Sequence, residues 1–92
     1  MRIEWSAQAV SDLKAISEYI EQDRDLETAN RVTRAIYDVA LGLRTMPLRG
    51  RQGRIEYTRE LVLPRLPYIV VYELLHERLV ILSIVHGAQR WP

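Results

Sequence analysis

The 92-residue sequence contains no cysteine, only four glycines and four prolines, and a single lysine, Lys14, among its thirteen basic residues. Without cysteine, neither a disulfide nor a thiolate metal site can stabilise the fold, which suits a reducing cytosol. The scarcity of glycine and proline, together with 48% hydrophobic residues, is typical of a globular chain. We place residues 1–92 in one small domain, whose limited core would gain stability from a bound partner.

Long hydrophobic runs are also missing from the chain. No segment approaches the roughly 18–20 apolar residues that cross a membrane. The segment Met1–Trp5 contains an acidic residue and lacks the apolar centre of a signal peptide. We therefore expect a cytoplasmic protein that does not associate with a membrane.

The net charge of +1 conceals an asymmetry along the chain. Residues 1–43 contain five basic and eight acidic side chains, whereas residues 44–92 contain eight basic and four acidic ones. The positive excess lies in residues 44–65, which contain two glutamates and six arginines: Arg44, Arg49, Arg51, Arg54, Arg59 and Arg65. Such a local field attracts polyanions and acidic protein surfaces, and the planar guanidinium group suits phosphate or carboxylate recognition. A solvated arginine-rich loop without a ligand is the alternative interpretation.

Hydrophobic periodicity predicts two helices in the first half of the chain. Apolar residues at three- and four-residue steps indicate one helix over Ala7–Gln22, with Ser6 as its N-cap. A second apolar stripe with the same spacing indicates a helix over Leu26–Leu43. Because the connection between them is short, the pair is predicted to form an antiparallel helical hairpin, and we assign both stripes to the core.

The remaining segments have the patterns of strands. Met1–Trp5 alternates before the helices, and Leu48–Ile55 is a predicted loop with two glycines. Three strands follow, over Glu56–Leu63, Tyr68–Leu74 and Leu79–His86, and their short connections predict an antiparallel meander. The last strand is apolar on both faces, which favours an interior position in the sheet.

The order β-α-α-β-β-β predicts an α+β fold, in which the helical hairpin packs on one face of a small antiparallel sheet. The other face would stay at least partly open, and a partner would bind either this open face or an edge of the sheet. We expect Tyr57, Tyr68 and Tyr72 to pack on the sheet.

Several short motifs occur along the chain in an order that one family shares. The motifs are Trp5 with Ala9 and Asp12-Leu13, Ile16 with Tyr19-Ile20, Pro47, Gly50-Arg51, Gly53-Arg54, Thr58-Arg59-Glu60-Leu61-Val62, Pro67-Tyr68-Ile-Val-Val-Tyr72, and Val85-His86-Gly87-Ala88-Gln89-Arg90-Trp91-Pro92. With these motifs the chain resembles the RelE/ParE superfamily of toxins from type II toxin–antitoxin systems over essentially its full length. The fold of that family agrees with the one predicted from periodicity.

The resemblance implies a toxin that arrests growth when it is free of its antitoxin. RelE-like members cut messenger RNA in the ribosomal A site and ParE-like members inhibit DNA gyrase, so the family leaves the target open. The expected partner is a cognate antitoxin protein that folds on binding, wraps the toxin and is acidic where it meets the arginine-rich region. Operator DNA is expected to be bound only through the antitoxin.

A metal-independent RNA nuclease must activate the 2′-hydroxyl, protonate the leaving oxygen and stabilise the phosphorane charge. By the resemblance, Arg59 and Arg54 match basic positions of RelE-like enzymes. His86 is a candidate acid and Glu60 a candidate base, although a structural, hydrogen-bonding role for His86 is the alternative. The chain departs from the RelE-like pattern at Ile69, where those nucleases have arginine, and it ends without the tail that carries their catalytic tyrosine.

These departures favour the ParE-like alternative, which needs a binding surface instead of an acid and a base. The candidate target-binding residues are Arg49, Arg51, Arg54, Arg59, Gln89, Arg90 and Trp91. Trp91 can also be interpreted as a core residue that closes one end of the sheet. No phosphate-binding loop or metal-ligand spacing is present, so we expect no cofactor. A third hypothesis is that toxicity has been lost and the chain remains an antitoxin-binding scaffold.

Overall fold

The computed structural model describes residues 1–87, so Gln89, Arg90 and Trp91 lie outside the described residues. The described part folds in the order β1 (Arg2–Trp5), α1 (Ala7–Asp23), α2 (Leu26–Gly42), β2 (Arg51–Gln52), β3 (Thr58–Val62), β4 (Tyr68–Leu74) and β5 (Arg78–His86). The predicted α+β order is confirmed. The predicted loop over Leu48–Ile55 is corrected, because it contains the short strand β2.

Side chains at both helix N-termini bind backbone amides that have no partner within the helix. The Ser6 hydroxyl accepts a hydrogen bond from the Ala9 amide at 3.0 Å, which confirms the predicted N-cap of α1. The Asp25 carboxylate accepts one from the Thr28 amide at 2.6 Å at the start of α2. Hydrogen bonds from Thr28 favour the ionised carboxylate, and they lower the pKa of Asp25 below its ordinary value. Within residues 1–87, no helix has the length and apolar character of a membrane span.

The strands form one sheet in the order β1-β5-β4-β3-β2. The meander of β3, β4 and β5 is antiparallel, as predicted, and β5 has its predicted interior position between β1 and β4. The sheet is mixed overall, because β1 pairs with β5 in the parallel direction, with Arg2 beside Arg78 and Trp5 beside Ile81. The helical hairpin belongs to the long connection that such a parallel pair requires.

Beyond the end of β1, the side chains of Ser6 and Asp12 form hydrogen bonds with β5. The Ser6 hydroxyl donates to the Leu82 carbonyl at 2.9 Å. The Asp12 carboxylate accepts from the Ser83 hydroxyl at 2.5 Å and from the Ile84 amide at 3.0 Å. The N-terminal half of α1 is therefore hydrogen-bonded to the sheet as well as packed on it.

The two faces of β4 belong to two apolar clusters. Tyr68 and Tyr72 are buried in the main core on the helix-bearing face, as predicted. The main core also contains helix residues of both stripes: Ala9, Ile20, Ala29, Val32, Ile36 and Ala40. Ile69 and Val71 alternate with these tyrosines and form a smaller buried cluster with Val85. The face that a residue of β3 occupies can therefore be inferred from its partner on β4.

Candidate functional site

The hairpin tip, residues 53–58, connects β2 to β3 within the arginine-rich region. The Gly53 amide donates to the Thr58 carbonyl at 2.8 Å, and the Thr58 amide donates to the Ile55 carbonyl at 3.1 Å. The Thr58 hydroxyl also donates to the Ile55 carbonyl, at 2.6 Å. A β-carbon at position 53 would overlap the Thr58 hydroxyl oxygen, so the chain can close here because residue 53 is glycine. The turn is consequently a fixed structure.

Tyr57 combines an unusual backbone conformation with high exposure at the hairpin tip. Its φ is 70°, the only positive φ of a non-glycine residue among residues 1–87. A bulky side chain is disfavoured in this conformation, at a cost of about 1–3 kcal/mol. The residue is 80% exposed, so the prediction that Tyr57 packs on the sheet is wrong. The strand predicted over Glu56–Leu63 includes Tyr57, but β3 begins only at Thr58.

The buried carboxylate of Glu60 anchors the hairpin tip from β3. Glu60 is 4% exposed and pairs with Val71, which places it on the face opposite the helices. One carboxylate oxygen accepts from the Arg51 guanidinium at 3.0 and 3.3 Å. The other accepts from the Arg54 amide at 3.1 Å. Both oxygens of Glu60 therefore hold the hairpin together, and Arg51 compensates the buried charge.

The 47–50 loop is fastened to the helix-bearing face of the sheet by two side chains. The Tyr72 hydroxyl donates to the Pro47 carbonyl at 2.7 Å and accepts from the Gly50 amide at 2.9 Å. The Arg59 guanidinium donates to the Gly50 carbonyl at 2.7 Å. Burial raises the pKa of Tyr72, and the Gly50 amide and the Arg59 charge partly oppose that shift.

Four of the predicted target-binding arginines lie on β2, on β3 and on the loops that flank β2, and they divide into two pairs. Arg51 and Arg59 direct their guanidinium groups at Glu60 and at loop carbonyls. Arg49 and Arg54 are exposed, and within residues 1–87 neither guanidinium group has a hydrogen-bond or ion-pair partner. We call the exposed set of Arg49, Arg54 and Tyr57 the arginine surface.

His86 lies at the other end of the sheet from Arg59. Arg59 is level with Tyr72 on β4, whereas His86 is level with Tyr68. Four residue steps along β4 and two strand spacings correspond to about 16 Å between the Cα atoms of Arg59 and His86. The His86 ring meets the Tyr68 ring edge-to-face at 5.7 Å. The residues proposed for a nuclease are therefore not gathered around one point, since Glu60 also occupies the opposite face from Arg59.

A mainly apolar groove of about 440 Å³ lies between α2 and the turn that joins β3 to β4. Its lining residues are Arg31, Val32, Ala35, Val39, Leu63, Pro64, Arg65 and Leu66. Arg31 and Arg65 are exposed, and neither has an ion-pair partner within the described residues. This groove is not predicted from the sequence, because Val32 and Val39 belong to a helical stripe assigned wholly to the core. Only the position of the β3–β4 turn leaves part of that stripe accessible.

Two features of residues 1–87 bear on metal and small-molecule binding. Among residues 1–87, no group of three or more histidine, aspartate or glutamate side chains is placed to hold a metal ion. A wide cleft of about 1190 Å³ beside the β4–β5 turn is lined by Arg44 and Arg78, but also by Glu77. Arg78 is paired with Glu4 at 3.1 Å. Charges of both signs in this cleft favour no single class of ligand.

Comparison with known proteins identifies the family of this chain. Residues 3–91 match the family model described as the ParE toxin of the type II toxin–antitoxin system parDE. A curated protein of Sinorhizobium fredii (strain NBRC 101917 / NGR234), named "Putative toxin Y4kP", is 42% identical over 91 residues, which cover 99% of this chain and 93% of the relative. A solved structure described as "Chromosomal ParDE TA system from P. aeruginosa" has the same fold, with a TM-score of 0.87 at 24% identity over 94% of this chain and 95% of that chain. Because the family model matches residues 3–91, the chain belongs to the ParE toxins of type II toxin–antitoxin systems.

Proposed function

We propose that this toxin arrests bacterial growth by binding and inhibiting DNA gyrase when no antitoxin is bound to it. The observation that supports this proposal is the arginine surface. Arg49, Arg54 and Tyr57 are exposed on the two loops that flank β2, and hydrogen bonds anchor both loops. Arginine and tyrosine are the residue types that are enriched at protein–protein interfaces and at their energetic centres.

RNA cleavage has less support from the geometry. A general acid and a general base must lie within hydrogen-bond reach of the reacting atoms. His86 lies at the other end of the sheet from Arg59, and Arg59 is directed at the 47–50 loop. Both Glu60 oxygens accept hydrogen bonds within the hairpin. Among residues 1–87, this arrangement favours a binding surface over an acid–base centre.

The proposal can be tested with purified toxin and purified gyrase in a DNA supercoiling assay. We expect wild-type toxin to inhibit supercoiling, and the double variant R49A/R54A to need at least about tenfold more protein for the same inhibition. R24A/R34A is the matched control, because it also removes two exposed arginines. Arg24 caps the C-terminus of α1, and Arg34 lies on α2. Equal inhibition by both double variants would contradict the assignment of the surface.

Pulse-labelling of cells just after induction separates the two candidate targets. If gyrase is the target, thymidine incorporation falls before amino-acid incorporation. If the chain is an mRNA nuclease, amino-acid incorporation falls first, translated messages show codon-phased cuts, and H86A abolishes them. If neither incorporation falls, the chain is an antitoxin-binding scaffold without toxicity. Arg59 is a poor test residue, because its removal would also release the Gly50 carbonyl.

We also propose that a cognate antitoxin neutralises the toxin by placing an acidic amphipathic helix in the groove between α2 and the β3–β4 turn. Val39 and Leu66 belong to the apolar part of the lining, Arg31 and Arg65 also line the groove, and no carboxylate does. In helix-in-groove recognition, the apolar face of a helix packs into such an apolar groove, and the two arginines would attract acidic residues beside that face. As the resemblance implies, we expect operator DNA to be bound only through the antitoxin.

The groove can be tested separately from the arginine surface. We expect R31A/R65A to weaken antitoxin binding by at least about tenfold while the free variant still arrests growth. The same R24A/R34A variant is the control for lost charge. Antitoxin affinity that is equal in both double variants would show that the antitoxin binds elsewhere.

A further inference from the structure

We infer that the ring of Tyr57 inserts into a pocket on the toxin's protein target and is the main anchor of that contact. The inference rests on the proposed function, because it names the residue through which the arginine surface would bind gyrase. The backbone conformation at position 57 does not favour a tyrosine. A tyrosine at position 57 is strained at a φ of 70°, whereas glycine adopts such a φ freely.

The ring of Tyr57 adds little to the stability of the folded chain. The residue is 80% exposed, more than any other large hydrophobic residue described for this chain, and it belongs to neither apolar cluster. Its loss would therefore open no cavity in the core. Strained backbone conformations cluster at active sites and ligand-binding segments, where the surrounding structure maintains them.

The hairpin tip also presents Tyr57 rigidly. On the chain before it, Gly53 is hydrogen-bonded to Thr58, and the Arg54 amide is bound by the buried Glu60 carboxylate. Directly after it, Thr58 is buried and begins β3. Little conformational freedom is left to lose when a partner binds, and a tyrosine side chain itself has only two rotatable torsions.

The charges around the ring favour a protein partner over a nucleic acid. Arg54 precedes Tyr57 by three residues. The exposed Glu56 directly precedes Tyr57, and its carboxylate would repel a phosphate backbone. A protein surface can meet both charges. The expected partner surface has an apolar pocket wide enough for a phenol ring, a hydrogen-bond acceptor at its base, and carboxylates that face Arg54 and Arg49.

Three variants test the inference against purified gyrase and in cells. In Y57G the strain and the ring are both removed, and in Y57F only the hydroxyl is removed. The control is Y19A, which deletes another exposed tyrosine, 66% exposed on α1. Gyrase affinity and supercoiling inhibition are measured together with the melting temperature of each variant and its affinity for a DNA duplex.

We expect Y57G to melt at or above the wild-type temperature and yet to lose at least about tenfold in gyrase affinity. Y57F should lose less than Y57G, and Y19A should bind like wild type. A Y57G variant that binds gyrase within about twofold of wild type overturns the inference while leaving the proposed function intact. If Y57G instead loses at least about tenfold in DNA affinity while its gyrase affinity is unchanged, the ring stacks on nucleic-acid bases. That result would also overturn the inference.

Failure of the proposed function is recognised separately. If wild-type toxin does not bind gyrase but still arrests growth, the proposed target is wrong, and the growth assay alone decides the role of Tyr57. A loss of growth arrest in Y57G but not in Y19A then supports the inference for another protein target. If growth arrest is unchanged in Y57G, the inference is overturned. It is also overturned if the wild-type toxin causes no growth arrest.

Discussion

The Tyr72 side chain packs so closely against Gly50 that residue 50 has no room for a β-carbon. The Gly50 amide donates to the Tyr72 hydroxyl at 2.9 Å, and a β-carbon at position 50 would lie 2.7 Å from both the ring and its hydroxyl oxygen. The same hydroxyl donates to the Pro47 carbonyl at 2.7 Å. Through this pair, a buried residue in the middle of the meander positions the loop that carries Arg49.

Y72F should destabilise the protein by about 1–3 kcal/mol, because the buried Gly50 amide loses its hydrogen-bond acceptor. The Pro47 carbonyl loses its donor in the same variant. Urea denaturation measures the loss, and hydrogen exchange at the Gly50 amide should accelerate more than at amides of α1. Y19F is the control, since Tyr19 is exposed and should tolerate the change. A Y72F variant as stable as Y19F would mean that water replaces the hydroxyl without cost.

G50A should destabilise the protein, whereas G42A should not. An alanine β-carbon at position 50 would have to displace the fully buried Tyr72 ring. At position 42, in the last turn of α2, a β-carbon meets nothing within 4 Å, and alanine favours the helix by up to about 1 kcal/mol. Melting temperatures of the two variants should therefore fall on opposite sides of wild type. The close approach at Gly50 would be disproved by two melting temperatures that shift together.

R51A should cost more stability than R34A. Arg51 faces the buried Glu60 carboxylate at 3.0 Å, and its own side chain is 58% exposed, so solvent screens part of the interaction. We expect a loss of about 1–3 kcal/mol in R51A. The pair of Arg34 with Asp38, at 3.3 Å, is exposed on both sides, and its loss should change stability by no more than about 0.5 kcal/mol. If chemical denaturation gives equal values, Glu60 does not depend on Arg51.

The N-cap of α2 should make stability depend on pH in acid. The pKa of Asp25 is lowered by its hydrogen bonds to Thr28, so the stabilisation is complete above the ordinary aspartate pKa of about 3.9. It is lost as the pH falls through the lower pKa of the folded state. D25A should therefore melt below wild type at neutral pH, and the difference should shrink in strong acid. D25N has no carboxylate to titrate, so its melting temperature should differ from that of D25A by the same amount at every pH. A constant D25A difference across this range would contradict the prediction.

The predictable parts of the fold were those with a local physical cause. The helical stripes follow from the 3.6-residue period, and the Ser6 cap from the preference of a hydroxyl for a free helical amide. The strand Tyr68–Leu74 was predicted with its observed bounds, because it is apolar and enclosed by turns. The two-residue strand β2 has no such signal. It exists because Arg51 and Gln52 pair with β3, and that pairing depends on the turn between them.

The candidate site was predicted as a region but not as an arrangement. Period-two alternation already implies that Arg59 and Glu60 occupy opposite faces of β3. The charge pattern of the sequence does not distinguish the two pairs of arginines. Arg51 and Arg59 form hydrogen bonds within the fold, whereas Arg49 and Arg54 remain exposed. The predicted residues Gln89, Arg90 and Trp91 lie outside the described residues, so their part in target binding stays a prediction.

The sequence by itself determined the helical hairpin, the antiparallel meander and the toxin family, because periodicity, capping and ordered motifs act through neighbouring residues or through direct similarity. Only the tertiary structure decided that β1 runs parallel beside β5, that Tyr72 and Arg59 hold the 47–50 loop, and that Tyr57 projects from a strained turn. Each of these features depends on contacts between distant or closely packed residues, such as Tyr72 with Pro47. Such contacts exist only once the core has brought the strands and loops into register.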